Sequence, residues 1–106
     1  MEGIFINLDD PYNRWELDTI RDIISLVKLY VVSHKLKDVE LCRVEDNRWE
    51  DQANKRFDVI IRYKENNHMF EQHLLILKGQ IIDGKEFHER HDEFYPRKEK
   101  YEYKDK

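Results

Sequence analysis

The chain has 106 residues, enough for one domain, and its charged fraction of 40% gives it a heavily solvated surface. The net charge of −4 is too small to indicate a general nucleic-acid binder or a DNA mimic. One cysteine, Cys42, excludes an internal disulfide and fits a reducing compartment, and the apolar-rich run around it favours a buried, inert thiol.

The N-terminal stretch has neither a basic start nor a long apolar segment, so we do not expect a signal peptide. Its short apolar run, Gly3–Leu8, predicts a first strand or an ordered arm. The longer apolar run that follows is interrupted by acidic and basic residues, which argues against a membrane span. We therefore expect a cytoplasmic protein that does not enter a membrane.

An apolar run from Trp15 to Val32 has the three- and four-residue spacing of a helix. The helix should begin near residues 11 to 14, after Asp9-Asp10-Pro11 or at Asn13, and end near His34 to Lys37. Its main apolar face is expected to comprise Leu17, Ile20, Ile24, Val27 and Val31, widened by Ile23 and Tyr30.

Three residues, Leu26, Leu29 and Val32, add apolar surface outside that face. One small sheet covers one side of a helix, so a second protein surface is the natural cover for the rest. A two-fold dimer is the commonest way to supply it. The sequence therefore predicts a homodimer or another protein partner, with Leu26 and Leu29 as candidate contact residues.

Beyond residue 38 the spacing changes to that of strands. The predicted strands are Val39–Val44, Phe57–Tyr63, Met69–Leu77 and Gln80–Ile82. Tight turns are expected at Asn66-Asn67, Lys78-Gly79 and Asp83-Gly84. The predicted fold is α+β: one long N-terminal helix packed on an antiparallel β-meander of three to four strands. Residues 1–94 form this single domain, and residues 95–106 form a charged tail.

The alternation along these strands also predicts the core. Ile20, Ile24, Val27 and Val31 should pack on Val59, Ile61, Leu74 and Ile76. Ile60, Leu75 and Leu77 would then lie on the sheet face away from the helix, which makes that face partly apolar as well.

A metal site is one interpretation of the histidines in the C-terminal half. His88 and His91 are three residues apart among Glu89, Asp92 and Glu93, and such a set can hold a divalent ion. The chain has no HExxH motif, and its single cysteine cannot supply a set of thiolates. We therefore interpret this segment as a solvated stretch and expect no metal and no cofactor.

Nucleic-acid chemistry is the alternative function. The tail interleaves tyrosines, including Tyr101 and Tyr103, with lysines that nearby acidic residues largely offset. A small nuclease would use acid, base and cationic groups such as Arg62, Lys64, Glu71 and His73 on one sheet surface. Outward polar residues on a half-buried sheet are the commoner explanation of such a set.

A protein-binding role is the function that the sequence favours. No phosphate-binding loop or nucleophile motif is present, so we expect no catalytic residues, and the small nuclease stays the enzymatic alternative. Trp49 lies in a polar loop, where we expect it to pack over the end of the sheet; the alternative is an exposed anchor for a partner. The expected function is a non-enzymatic inhibitor or adaptor, of the kind that phages and mobile elements carry. The candidate partner-binding residues are Trp49, Leu26, Leu29, Tyr101 and Tyr103.

Overall fold

The fold is α+β, with one long helix, a five-stranded sheet and two short C-terminal helices. The computed structural model describes residues 6–9 and 15–96. The elements in chain order are β1 (Ile6–Asp9), α1 (Leu17–Ser33), β2 (Val39–Asp46), β3 (Phe57–Glu65), β4 (His68–Leu77), β5 (Gln80–Asp83), α2 (Gly84–Glu89) and α3 (His91–Phe94).

The strands of the sheet follow chain order, β1 to β5. β2 to β5 are antiparallel neighbours and form the expected meander. β1 adds a fifth strand, which pairs with β2 in parallel, Ile6 opposite Cys42 and Leu8 opposite Val44. The sheet is therefore mixed and larger than the three to four antiparallel strands predicted, because α1 carries the chain back across the sheet between β1 and β2.

The long helix begins later than the sequence indicated. Trp15 and Glu16 precede α1, and the expected start near residues 11 to 14 lies outside the described residues. The ring of Trp15 stacks on that of Phe57, with centroids 5.5 Å apart, so a contact with the sheet takes it out of the helix. At the other end Lys35 has left-handed backbone, with φ of 56°, and the Leu36 amide donates to the Val31 carbonyl.

The face of α1 that packs on the sheet is rotated from the one predicted. Its buried residues are Ile23, Val27, Tyr30 and Val31. Ile20 and Ile24 are only half-buried, and Leu17 is 76% exposed, so its place on the face that packs on the sheet was wrong. The buried face meets the predicted strand residues Val59, Ile61, Leu74 and Ile76, together with Cys42, Val44 and Phe57.

The second face of the sheet carries its own apolar cluster. Leu77, Ile82 and Phe94 are buried there, and Leu75, Phe87 and Tyr95 pack against them. α2, α3 and Tyr95, which follows α3, supply the aromatic residues of this cluster. Asp83 does not form the predicted turn with Gly84 but caps α2, because its carboxylate accepts a 2.8 Å hydrogen bond from the Glu86 amide.

Two tight hairpins connect β3 to β4 and β4 to β5. Asn66 and Asn67 both have positive φ, 53° and 64°, and Lys78 and Gly79 repeat the pattern with 51° and 78°. These angles are typical of two-residue turns that match the twist of the sheet, and both turns lie where the sequence placed them.

The structure confirms that Cys42 is buried. Its side chain lies in the core beneath α1, and burial raises the pKa of the thiol to about 11. Within the part of the chain that the structure describes, no helix has the length and apolar character needed to span a membrane.

Candidate interaction site at the edge of strand β4

β4 is much longer than its outer neighbour. It has 10 residues, whereas β5 has 4 and pairs only with Leu74–Leu77. The other side of β4 is paired along its whole length with β3, from Phe57 opposite Ile76 to Glu65 opposite His68. Among the described residues, no strand therefore pairs with the outer side of His68–His73, and we call this segment the open edge of β4.

The hairpin geometry determines which backbone groups the open edge presents. In a two-residue hairpin the flanking residues, here Glu65 and His68, form a hydrogen-bonded pair. Hydrogen-bonded and non-hydrogen-bonded pairs alternate along antiparallel strands. The amides and carbonyls of Met69, Glu71 and His73 therefore point away from β3. β5 reaches the His73 end, where Asp83 lies opposite Leu74, but among the described residues no strand pairs with the outer side of Met69 or Glu71.

Two large apolar side chains lie on the open edge. Met69 is 47% exposed and Phe70 is 43% exposed. Because the faces of a strand alternate, Phe70 lies on the α1 side of the sheet and Met69 on the other. The Phe70 ring stacks on Tyr63 of β3, with centroids 5.7 Å apart, so its position is held while much of its surface stays in solvent.

α1 supports the same strand from above. The amide of Gln72 donates a 2.6 Å hydrogen bond to the phenolic oxygen of Tyr30, a buried residue of α1. Burial raises the pKa of the Tyr30 hydroxyl, with smaller contributions from the negative charge of Asp83 and from Tyr63. The helix thus holds the middle of the open edge in its strand conformation.

On the opposite face of β4, three predicted site residues do lie together. Arg62 donates to Glu71 at 2.9 Å, and the ring of His73 is 3.1 Å from the other oxygen of that carboxylate. The hydrogen bond with His73, and then that with Arg62, lower the pKa of Glu71. Lys64, the fourth residue of the set, is instead 3.5 Å from Glu40. Such paired, exposed charges neutralise one another rather than forming a cationic surface.

The candidate residues on α1 differ in exposure. Leu26 is half-buried against the core, and Leu29 is 65% exposed. Leu26 lines a groove of about 770 Å³ with Gly79 of the β4–β5 turn, so this side of the helix faces that end of the sheet. Leu29 lies about one helical turn further along the same side of the helix.

Trp49 lies at the other end of the helix. It is 46% exposed in the β2–β3 loop (residues 47–56), so it is not buried over the sheet. The neighbouring Arg48 pairs with the buried Asp46 at 2.6 Å and with Glu16 at 3.1 Å. From Glu16 to Leu29 the helix rises about 20 Å. The structure therefore does not bring Trp49 and Leu29 into one surface.

The candidate residues of the C-terminal part of the chain do not form one site either. Tyr101 and Tyr103 lie outside the described residues. His88 is exposed at the end of α2, whereas His91 begins α3 and its ring packs 5.4 Å from that of Phe87. Over residues 6–9 and 15–96 no group of three or more His, Cys, Asp or Glu side chains is placed to hold a metal ion.

A second groove, of about 380 Å³, lies between α2 and the sheet face that α1 does not cover. Ile60, Leu75 and Phe87 give it an apolar lining. Asp58 at its rim accepts hydrogen bonds from Arg56 at 2.9 Å and from Asn47 at 2.6 Å, so its charge is compensated within the chain.

In comparisons with protein-family models, with curated protein sequences and with solved structures, nothing matches this chain. The geometry of the chain itself therefore carries every functional argument. The open edge was missed in the sequence, although one signal for it was present. The run from Met69 to Leu77 is far longer than its hairpin partner Gln80–Ile82, and this difference leaves part of the longer strand without a neighbour.

Proposed function

We propose that this chain is a non-enzymatic protein-binding module, an inhibitor or adaptor, which contacts its partner through the open edge of β4. The observation that carries the proposal is the outward backbone groups of Met69 and Glu71, with which no strand of the described residues pairs, beside two exposed apolar side chains. An extended strand of another chain satisfies such groups by adding itself to the sheet. Its backbone supplies affinity, and contacts with Phe70 and Met69 supply specificity.

The open edge differs from the protected edges that most sheets display. Lysine, proline or a short strand usually keeps an edge from pairing with other chains. β1 and β5 are short, with 4 residues each. His68–His73 contains neither lysine nor proline, and its one carboxylate, Glu71, is paired with Arg62. Nothing in this segment opposes the approach of another strand.

The cellular location of the protein is part of the same proposal. A buried free thiol at Cys42 is typical of a reducing environment, so we place the protein in the cytoplasm. The homodimer expected from the exposed apolar residues of α1 is one form that such a protein partnership takes.

RNA or DNA binding is the alternative, and the ion pairs weigh against it. Arg62 and Lys64 each lie beside a carboxylate, and such pairing reduces the positive charge available to phosphates. The protein-binding proposal implies no tight, salt-dependent binding to single-stranded RNA. Retention of an RNA oligonucleotide that falls steeply between low and moderate salt would favour the alternative instead.

Affinity capture with matched variants tests the proposed function. The full chain, its Phe70→Lys variant and its Leu17→Lys variant are immobilised and exposed to a lysate of the native host. Leu17 is also exposed but lies at the far end of α1, so it controls for the added charge. We expect a partner that the wild type and Leu17→Lys retain and that Phe70→Lys loses, and that binds the purified chain directly. Equal retention by all three proteins would reject the open edge as the binding site.

A further inference from the structure

We propose that the open edge of β4 pairs with the same edge of a second copy of this chain, antiparallel and with Phe70 on the two-fold axis. This inference rests on the proposed function and names the partner. In such a dimer the two five-stranded sheets join into one, and both copies of α1 lie on the same face of it.

Symmetry limits the possible registers to a few. In an antiparallel pair, directly opposed residues lie on the same face, so a two-fold axis perpendicular to the sheet passes through a residue and its own copy. The open edge allows the axis to fall at Met69, Phe70, Glu71 or Gln72, and an axis at Met69 pairs only the three residues His68–Phe70 of each copy.

The short strand β5 excludes two of these registers. Asp83 already occupies the position beside Leu74, so an incoming strand has no room beyond His73. With the axis at Glu71, His68 of one copy falls opposite Leu74 of the other and collides with Asp83. With the axis at Gln72 the incoming strand overlaps β5 over a longer stretch. With the axis at Phe70, His68 falls opposite Gln72, and the pairing ends before β5 begins.

The register centred on Phe70 also uses the backbone groups that point outward. Met69 then faces Glu71 of the second copy, and Glu71 faces Met69. Both residues direct their amides and carbonyls away from β3, so the two pairs form four hydrogen bonds across the axis. Backbone groups of Met69 and Glu71 that no described strand pairs with in a single copy become paired in the dimer.

The side chains are complementary in this register as well. Phe70 meets its copy in a non-hydrogen-bonded pair, where side chains come closest. Each Phe70 already stacks on Tyr63, so the dimer contains a row of four aromatic rings across its axis. Glu71 faces Met69 rather than a like charge, whereas an axis at Glu71 would oppose two carboxylates.

Single cysteine variants of the full chain test this register directly. In the non-hydrogen-bonded pair the two Phe70 Cα atoms are about 4.5 Å apart, within the range that a disulfide spans. The two Met69 residues, and likewise the two Glu71 residues, are diagonal neighbours about 7–8 Å apart, which is too far for a disulfide. Cys42 is buried, so the wild type provides the background.

Under mild oxidation we expect Phe70→Cys to form a covalent dimer, at a rate at least about tenfold above that of Met69→Cys or Glu71→Cys alone, because of this distance limit. An equimolar mixture of Met69→Cys and Glu71→Cys chains should crosslink, since those positions are directly opposed. The mixture keeps Phe70 and so tests the register without loss of the aromatic pair. Faster crosslinking of Glu71→Cys alone would overturn the register.

Sedimentation equilibrium tests the dimer without cysteines. The wild-type mass should rise toward twice that of one chain with increasing concentration. Phe70→Lys should remain a monomer, since it opposes two ammonium groups, and Trp49→Lys should behave as the wild type. A monomeric wild type without any crosslink would overturn the second copy as partner. The capture experiment decides separately whether the open edge binds another protein.

Discussion

The hydroxyl of Tyr95 donates a hydrogen bond to a carboxylate oxygen of Asp51, so the residue that follows α3 is fastened to the β2–β3 loop. Asn54, from the same loop, donates a 3.1 Å hydrogen bond to the carbonyl of Phe94. The C-terminal helices are therefore held to the sheet by polar contacts as well as by the apolar cluster around Leu77.

The Asp51–Tyr95 contact makes stability depend on pH in the acid range. Burial acts to raise the pKa of Asp51, but hydrogen bonds from Tyr95 and Asn54 and the charge of Arg56 outweigh it and hold this pKa below its usual value. A carboxyl whose pKa is lowered on folding stabilises the fold above its unfolded pKa, and this contribution disappears as the pH falls through the lower, folded pKa.

We expect Asp51→Asn to lower the free energy of unfolding by about 1–2 kcal/mol at neutral pH, as for hydrogen bonds to a charged group. The difference from the wild type should shrink as the pH is lowered below about 4, where the unfolded carboxyl is protonated. Urea unfolding at a series of pH values measures both effects. A difference that stays constant down to the acid limit would show that the carboxylate charge plays no part.

Asn54 is the buried centre of the same contact region. It is 2% exposed, and its backbone carbonyl accepts a 2.6 Å hydrogen bond from the Lys78 amide in the β4–β5 turn. Its side-chain amide donates hydrogen bonds to the Phe94 backbone carbonyl and to the Asp51 carboxylate. Asn54→Ala leaves both acceptors without that donor. We expect a loss of about 1–3 kcal/mol in urea unfolding. Gln52→Ala, in an exposed position of the same loop, should change stability by less than about 0.5 kcal/mol.

The thiol of Cys42 reports the opening of the core. Because burial raises its pKa to about 11, it is protonated and shielded at neutral pH. A disulfide reagent should modify native Cys42 slowly, at a rate that rises with urea, and modify the unfolded chain at once. Ser25→Cys, on the exposed side of α1, should react without any lag in the native state. Rapid reaction of both thiols would contradict the packing of β2 beneath the helix.

The rotation of α1 leads to a paired prediction. Ile23 is buried and Ile24 is half-buried, although the sequence placed Ile24 in the centre of the apolar face. Ile23→Ala should cost about 2–5 kcal/mol of unfolding free energy, as for a fully buried aliphatic side chain. Ile24→Ala should cost clearly less. Thermal and urea unfolding of the two variants decide the helix register, and the reverse order would restore the face predicted from the sequence.

The features that could be predicted from the sequence are those that a local pattern of residues determines. Alternation located β3, and paired asparagines located the β3–β4 turn, because both signals act over a few residues. The rotation of α1 was missed, because Leu17 and Ile24 match the helical spacing as well as Ile23 does. Contact with the sheet, rather than helical spacing, determines which of these residues is buried.

The helices α2 and α3 were missed for a related reason. Their segment is rich in charge, and the apolar contacts of Phe87 and Phe94 arise only once Leu77 and Ile82 are in place. The candidate interaction site was missed because an open edge depends on where β5 ends. The residues that lie there, Met69 and Phe70, are ordinary strand residues in sequence.

The parallel strand β1 has a consequence for how the molecule opens. β2 to β5 are joined by antiparallel pairings between consecutive strands, whereas β1 pairs only with β2 and reaches it across the length of α1. β1 can therefore detach while every other strand pairing is kept. Amide hydrogen exchange should follow this hierarchy, with Asn7 and Leu8 losing protection at a lower free energy than Ile61 and Leu74 at the centre of the meander.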